Sequence, residues 1–170
     1  MSTTPRRTRP PLLHIYLNDH LAGATGGVDL AKRLARNHRN TPAGPVLARF
    51  AREVAEDRRS LLRIMAALGA DVQRYKLVIA RAGEKVGRLK LNGYLLRRSP
   101  LSSVEELEAM RLGVEGKADC WRTLLTVADG DPRLDVIELE TLLVRARSQS
   151  DTLQELRTAG AAEVFSGIAV

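Results

Sequence analysis

The chain has 170 residues, 44% of them hydrophobic and 28% charged, a balance that excludes an intrinsically disordered chain and suffices for one domain with a buried core. Aromatic residues make up only 4%, so the core has to consist of aliphatic side chains, which favours helices over a β-sandwich. Residues 1–11 and 71–99 together carry more positive charge than the net +7 of the chain, which excludes a uniformly basic surface.

Residues 1–11 form a basic tail that contains Arg6, Arg7 and Arg9, and we expect this tail to be disordered. No unbroken apolar run follows it, so it does not match a signal peptide. No stretch of about 18 or more apolar residues predicts a membrane span. These features predict a cytoplasmic protein without a transmembrane segment.

The first predicted helix starts at Pro10–Pro11 and ends near His38, with apolar residues recurring at spacings of three and four. Gly23, Gly26 and Gly27 lie inside it, where each glycine costs about 1 kcal/mol relative to alanine. We expect the close approach of a partner helix to offset that cost.

A second helix follows a break at residues 40–45, and Gly69 is expected to end it. Residues 71–99 are predicted to form a long crossover of short helical pieces, because three glycines interrupt a helical pattern there. The crossover is the most basic internal segment of the chain.

The third predicted helix opens at a capping box in Ser102–Glu106 and ends at Gly130. Like the first helix, it carries glycines near its middle. Asp131 is the expected N-cap of a fourth helix over residues 132–165, and residues 166–170 are expected to fray.

The lengths of the connections predict the architecture. Short links between helices one and two and between helices three and four favour two antiparallel pairs, and the long middle link allows a crossover along the bundle. In this helix order residues 12–165 resemble the ferritin-like proteins, so the expected fold is an all-α, antiparallel four-helix bundle in a single domain. The Glu-x-x-His motifs that di-iron members of that family use are absent from this chain.

Carboxylates near the middle of two helices are the candidate metal ligands. Glu56 and Glu115 lie where the ferritin-like resemblance places ligands, and Glu53 and His20 complete the candidate set. A divalent metal is therefore an alternative hypothesis, beside the expectation of no cofactor. Cys120 is the only cysteine, which excludes a disulfide within the chain and a cysteine-based zinc site, and no catalytic residue is predicted.

Polar residues also interrupt the apolar stripes and predict an internal network. We expect Glu115 to pair with Arg145 across the turn between helices three and four. The network is either a polar pocket for a metal or small ligand or a set of mutually satisfied groups, and the second interpretation is favoured because buried charges are normally paired. The predicted members are His20, Asp57, Lys117, Gln149, Glu115 and Arg145.

The crossover supplies the other candidate site, a basic surface. Its pattern fits a nucleic-acid backbone or an anionic membrane surface. The favoured interpretation is that its leucines pack on the bundle while its arginines stay in water, because it contains no recognised nucleic-acid-binding motif. We therefore expect a non-catalytic interaction or assembly module, acting on a protein partner or by self-association through its surface. A bundle that binds a metal or small ligand between its helices is the alternative. The basic surface comprises Lys85, Arg88, Lys90, Arg97 and Arg98.

Overall fold

A computed structural model of the chain describes residues 11–73 and 100–166, which form four helices and their connections. Within these residues, the predicted all-α structure with four long helices is confirmed. Most of the predicted tail, crossover and frayed C-terminus lies outside the described residues. The helices are α1, Leu12–Asn37; α2, Gly44–Ala67; α3, Pro100–Ala128; and α4, Val136–Phe165.

Helix α2 ends where the sequence predicts. Gly69 has a φ of 69°, a left-handed conformation that glycine adopts without steric cost, and the Ala70 amide donates to the Met65 carbonyl at 2.8 Å. This geometry stops the helix and satisfies a carbonyl of its last turn.

The start of α4 differs from the prediction. Its N-cap is Asp135, whose carboxylate accepts from the amides of Ile137 and Glu138 at 2.9 and 3.1 Å. Asp131 pairs instead with Arg133 inside the turn. The connection is longer than expected because it includes Leu134, whose side chain is buried in the core.

Helix α1 packs against α2 and α3, and α3 packs against α4. Between α1 and α3, Tyr16 Oη lies 3.1 Å from Thr123 Oγ1, and Arg33 Nε donates to Glu106 Oε1 at 3.1 Å. Residue numbers therefore rise along α1 as they fall along α3. A largely aliphatic core, in which Trp121 is the largest fully buried side chain, holds the helices together.

Polar contacts join α4 to α2 and α3. Arg63 pairs with Glu138 across α2 and α4 at 2.8 Å, and Arg157 pairs with Glu108 across α3 and α4 at 3.2 Å. Within the part of the chain that the structure describes, no helix has the length and apolarity that a membrane crossing requires.

Candidate functional site

A cavity of about 230 Å³ lies between α1, α2 and α3, and we call it the glycine cavity. Apolar side chains make up most of its lining, and Asp19 and Gly23, which are exposed, lie at its solvent side. Its lining consists of Asp19, His20, Gly23, Ala24 and Gly27 of α1, Val54, Asp57, Arg58 and Leu61 of α2, and Met110, Gly113, Val114, Gly116, Lys117, Cys120 and Trp121 of α3.

Four helical glycines line this space, namely Gly23, Gly27, Gly113 and Gly116. A Cβ added at Gly23 or Gly116 would meet no side chain and no neighbouring helix within 4 Å. At Gly27 and Gly113 the nearest atom would be Met110 Cε, at 3.7 and 3.8 Å. The expected close approach of a partner helix is therefore not seen at Gly23 or Gly26, whereas Gly27 lies at van der Waals distance from Met110 of α3.

Gly23 and Gly116 carry a cost that contact with a neighbouring helix does not offset. Each helical glycine lowers helix stability by about 1 kcal/mol relative to alanine, and an unfilled cavity forfeits dispersion contacts. Such local losses are typical of positions that function constrains. The cavity is therefore the strongest candidate site among the described residues.

Trp121, one of the residues that line the glycine cavity, has a buried hydrogen-bond donor without a partner among the described residues. Its side chain is 1% exposed, and within the described chain its indole Nε1 has no hydrogen-bond partner. A buried donor without an acceptor costs about 1–3 kcal/mol, and native proteins rarely leave one unexplained.

A polar network borders the cavity on its inner side. Asp57, only 1% exposed, accepts from Lys117 Nζ at 2.6 Å and from Arg145 Nη1 at 3.0 Å. Gln149 Nε2 lies 3.3 Å from Asp57 Oδ2 and 3.1 Å from Glu53 Oε2, and Lys117 Nζ also donates to Gln149 Oε1. The structure thus brings Asp57, Lys117, Arg145 and Gln149 into one satisfied cluster.

Burial governs the electrostatics of Lys117. Desolvation lowers the pKa of its ammonium below the usual value, and the charge and hydrogen bond of Asp57 act against that shift. Since Asp57 and Gln149 already bind the ammonium, the lysine is a paired group of the cavity wall.

Glu115 and Arg145 do not form the predicted ion pair. Glu115 accepts a hydrogen bond from Ser150 Oγ, and Arg145 turns to α2, where Nη1 also lies 3.6 Å from Glu56 Oε2. The later start of α4 explains the difference, because it moves residues further along α4 level with Glu115.

The candidate metal ligands do not converge. Glu53 accepts from Gln149, Glu56 is half exposed beside Arg145, and His20 stacks edge-on against Tyr16 with ring centroids 4.4 Å apart. Across residues 11–73 and 100–166, no group of three or more histidine, cysteine or acidic side chains is placed to hold a metal ion.

The two remaining reactive side chains lie in the cavity wall. Burial lowers the pKa of His20, against the opposing charges of Asp19 and Asp119. Burial also raises the pKa of the Cys120 thiol to about 12, so it stays protonated at neutral pH. Both side chains shape the cavity rather than supply an activated nucleophile.

A second cavity, of about 340 Å³, lies between α2 and α4. Its lining is mostly polar and includes Glu53 and Gln149. Gln149 therefore stands between this cavity and the Asp57–Lys117 pair.

The predicted basic surface lies outside the described residues, so contact of the crossover with nucleic acid or a membrane stays a prediction. Sequence reasoning also missed Trp121 as a lining residue. Gly113 and Gly116 were the signal that could have indicated it, because small residues recur at the middle of helices one and three.

Comparisons with protein-family models, with curated proteins and with solved structures give no match. The functional assignment therefore depends on the geometry of the glycine cavity.

Proposed function

We propose that this protein is a non-catalytic helical bundle that binds a small, mostly apolar molecule in the glycine cavity. The observation that carries the proposal is a cavity of about 230 Å³ lined by glycines on two neighbouring helices. An apolar cavity of about 150 Å³ is enough to bind benzene, so this one has room for a one-ring molecule with a short substituent.

The lining supports an apolar ligand. Val54, Leu61, Met110 and Val114 offer aliphatic or thioether surface, and apolar burial supplies about 25 cal/mol per Å². Small-molecule sites characteristically combine such a lining with a few polar groups that fix orientation.

Ethylbenzene is the test ligand, and thermal unfolding is the readout. A ligand that binds only the folded state raises the unfolding temperature, and the stabilisation grows with the logarithm of ligand concentration above the Kd. Gly23→Leu fills the cavity and should abolish the shift, whereas Gly26→Leu, on the same helix but outside the lining, should retain it. Absence of a shift in the natural protein, or equal shifts in both variants, contradicts the proposal.

For the architecture we propose the antiparallel, ferritin-like helix order. It is supported by Arg33–Glu106 between α1 and α3 and by Arg157–Glu108 between α3 and α4, since residue numbers run oppositely in each helix pair. The crossover would then connect helices that run in the same direction.

Binding of an acidic protein surface by the basic crossover is the second proposal, favoured by the positive charge concentrated in residues 71–99. Charge reversal at Arg97 and Arg98 should abolish capture of a protein partner in a pull-down while helical circular dichroism stays unchanged. A variant that retains every partner of the natural protein contradicts it.

A further inference from the structure

Building on the proposed function, we infer that the ligand of the glycine cavity is an apolar monocarboxylate and that Arg58 binds its carboxylate group. The class is an ionised carboxylic acid whose apolar part is about one ring in size. Three observations support this assignment: the position of the Arg58 side chain, the donors that its guanidinium has left, and the pairing of the other charges in the lining.

Arg58 extends from α2 to α1 along the wall of the glycine cavity. It is one of the lining residues and is half-buried. Its Nε donates to Thr25 Oγ1 of α1 at 3.0 Å, and the Thr25 hydroxyl in turn donates to the Leu21 carbonyl at 2.8 Å. Ala24 and Gly27, which are close to Thr25 in the sequence, also line the cavity. The guanidinium is therefore held between the two helices that form this side of the cavity.

The guanidinium of Arg58 keeps donors for a ligand. Thr25 occupies only Nε, and within residues 11–73 and 100–166 it is the one hydrogen-bond or ion-pair partner of Arg58. The two terminal nitrogens remain for a ligand, and their N–H groups match the two oxygens of a carboxylate. Because burial withdraws this cation in part from water, a bound carboxylate would give it the charged partner that the described side chains do not supply.

The other charges of the lining permit an anion beside Arg58. Asp57 is already paired with Lys117 at 2.6 Å and with Arg145 at 3.0 Å, so its negative charge is compensated. Asp19 is exposed at the solvent side of the cavity, where water screens its charge. Lys117 is held by Asp57, which leaves Arg58 as the lining cation without a carboxylate partner in the described chain. The ligand would thus place its carboxylate at Arg58 and its ring among the apolar side chains.

Phenylacetate and phenylacetamide form a matched probe pair, because they have nearly the same shape and differ in the charge of one group. Isothermal titration calorimetry of the natural protein at neutral pH should show about tenfold tighter binding of phenylacetate. Gly23→Leu, which fills the cavity, should abolish binding of both probes. Arg58→Gln should remove the preference for phenylacetate and retain ethylbenzene binding. Arg59→Gln, which removes an exposed charge at the next residue, should keep the preference.

The outcomes separate this inference from the proposed function. If ethylbenzene and both probes fail to bind, the cavity is not a ligand site and both proposals fail. If ethylbenzene binds but phenylacetate binds no more tightly than phenylacetamide, the proposed function stands and the carboxylate inference is overturned. The inference is also overturned if Arg58→Gln keeps the preference, or if Arg59→Gln loses it equally, because the preference then comes from surface charge in general. The probe comparison uses the natural protein, so it decides the question even if a variant does not fold.

Discussion

Gly23 of α1 and Gly116 of α3 line the same cavity, and a Cβ on either would contact no neighbouring helix within 4 Å. The two helices meet elsewhere through larger side chains, such as Tyr16 and Thr123. The glycines therefore leave a space in an otherwise packed interface. Replacing them with alanine should raise stability and lower ligand affinity.

Gly23→Ala and Gly116→Ala should each stabilise the protein by about 1 kcal/mol, because alanine favours the helix and the added methyl meets no steric obstacle. Both should weaken ethylbenzene binding by reducing the cavity. Urea unfolding and ligand titration measure the two effects. Gly26→Ala is the matched control, since it should give the gain in stability without the loss of affinity. Destabilisation by the two lining substitutions would show that the space is already filled.

Asp57→Ala should destabilise the fold by about 3–5 kcal/mol, because it leaves the buried ammonium of Lys117 without its carboxylate. Chemical denaturation measures the change. Arg63→Ala removes an exposed partner of Glu138 and should cost less than about 1 kcal/mol. Similar losses in the two variants would mean that water reaches the Asp57 cluster.

Asp135→Ala should lower the stability of the fold by about 1 kcal/mol, since it removes the acceptor of two amides at the start of α4. Thermal unfolding checks this prediction. Asp131→Ala should have the smaller effect, because the Asp131 carboxylate accepts from Arg133 within the turn. A larger loss of stability in Asp131→Ala than in Asp135→Ala would indicate that α4 begins at Asp131, as the sequence predicts.

The helices were predictable because their signals are local. Gly69 ends α2 through a left-handed conformation that glycine itself favours. The start of α4 could not be predicted in this way, because either Asp131 or Asp135 could serve as its N-cap. Both aspartates are good N-caps, and burial of Leu134, a tertiary effect, selects the second.

The wrong start of α4 also made one prediction about the polar network wrong. It misplaced α4 relative to α3 and led to the expected Glu115–Arg145 pair, although the prediction that Asp57 and Lys117 are internal did not depend on it. The glycine cavity was harder to foresee. Small residues on facing helices permit either close contact or open space, and the packing of larger neighbours such as Met110 decides between them.

Cys120 should resist thiol reagents in the folded protein. Its thiol is buried and burial raises its pKa to about 12, so the thiolate that reacts is scarce at pH 8. Labelling with a chromogenic disulfide should be at least about 100-fold slower than in denaturant. Rapid labelling without denaturant would show that α3 opens around the cavity.

His20 should make stability depend on pH in a defined direction. Burial lowers the pKa of the folded imidazole below the ordinary 6.5, so the unfolded chain binds more protons between those two values. The contribution of neutral His20 is therefore complete above pH 6.5 and is lost as the pH falls toward the folded pKa. Relative to His20→Phe, the natural protein should therefore lose free energy of unfolding as the pH falls from 7.5 to 5. Urea midpoints of the two proteins measure this change. The charges of Asp19 and Asp119 oppose the lowering of the His20 pKa, so neutralising them should enlarge the pH effect. A stability difference that does not depend on pH would mean that His20 is as solvated in the folded protein as in the unfolded chain.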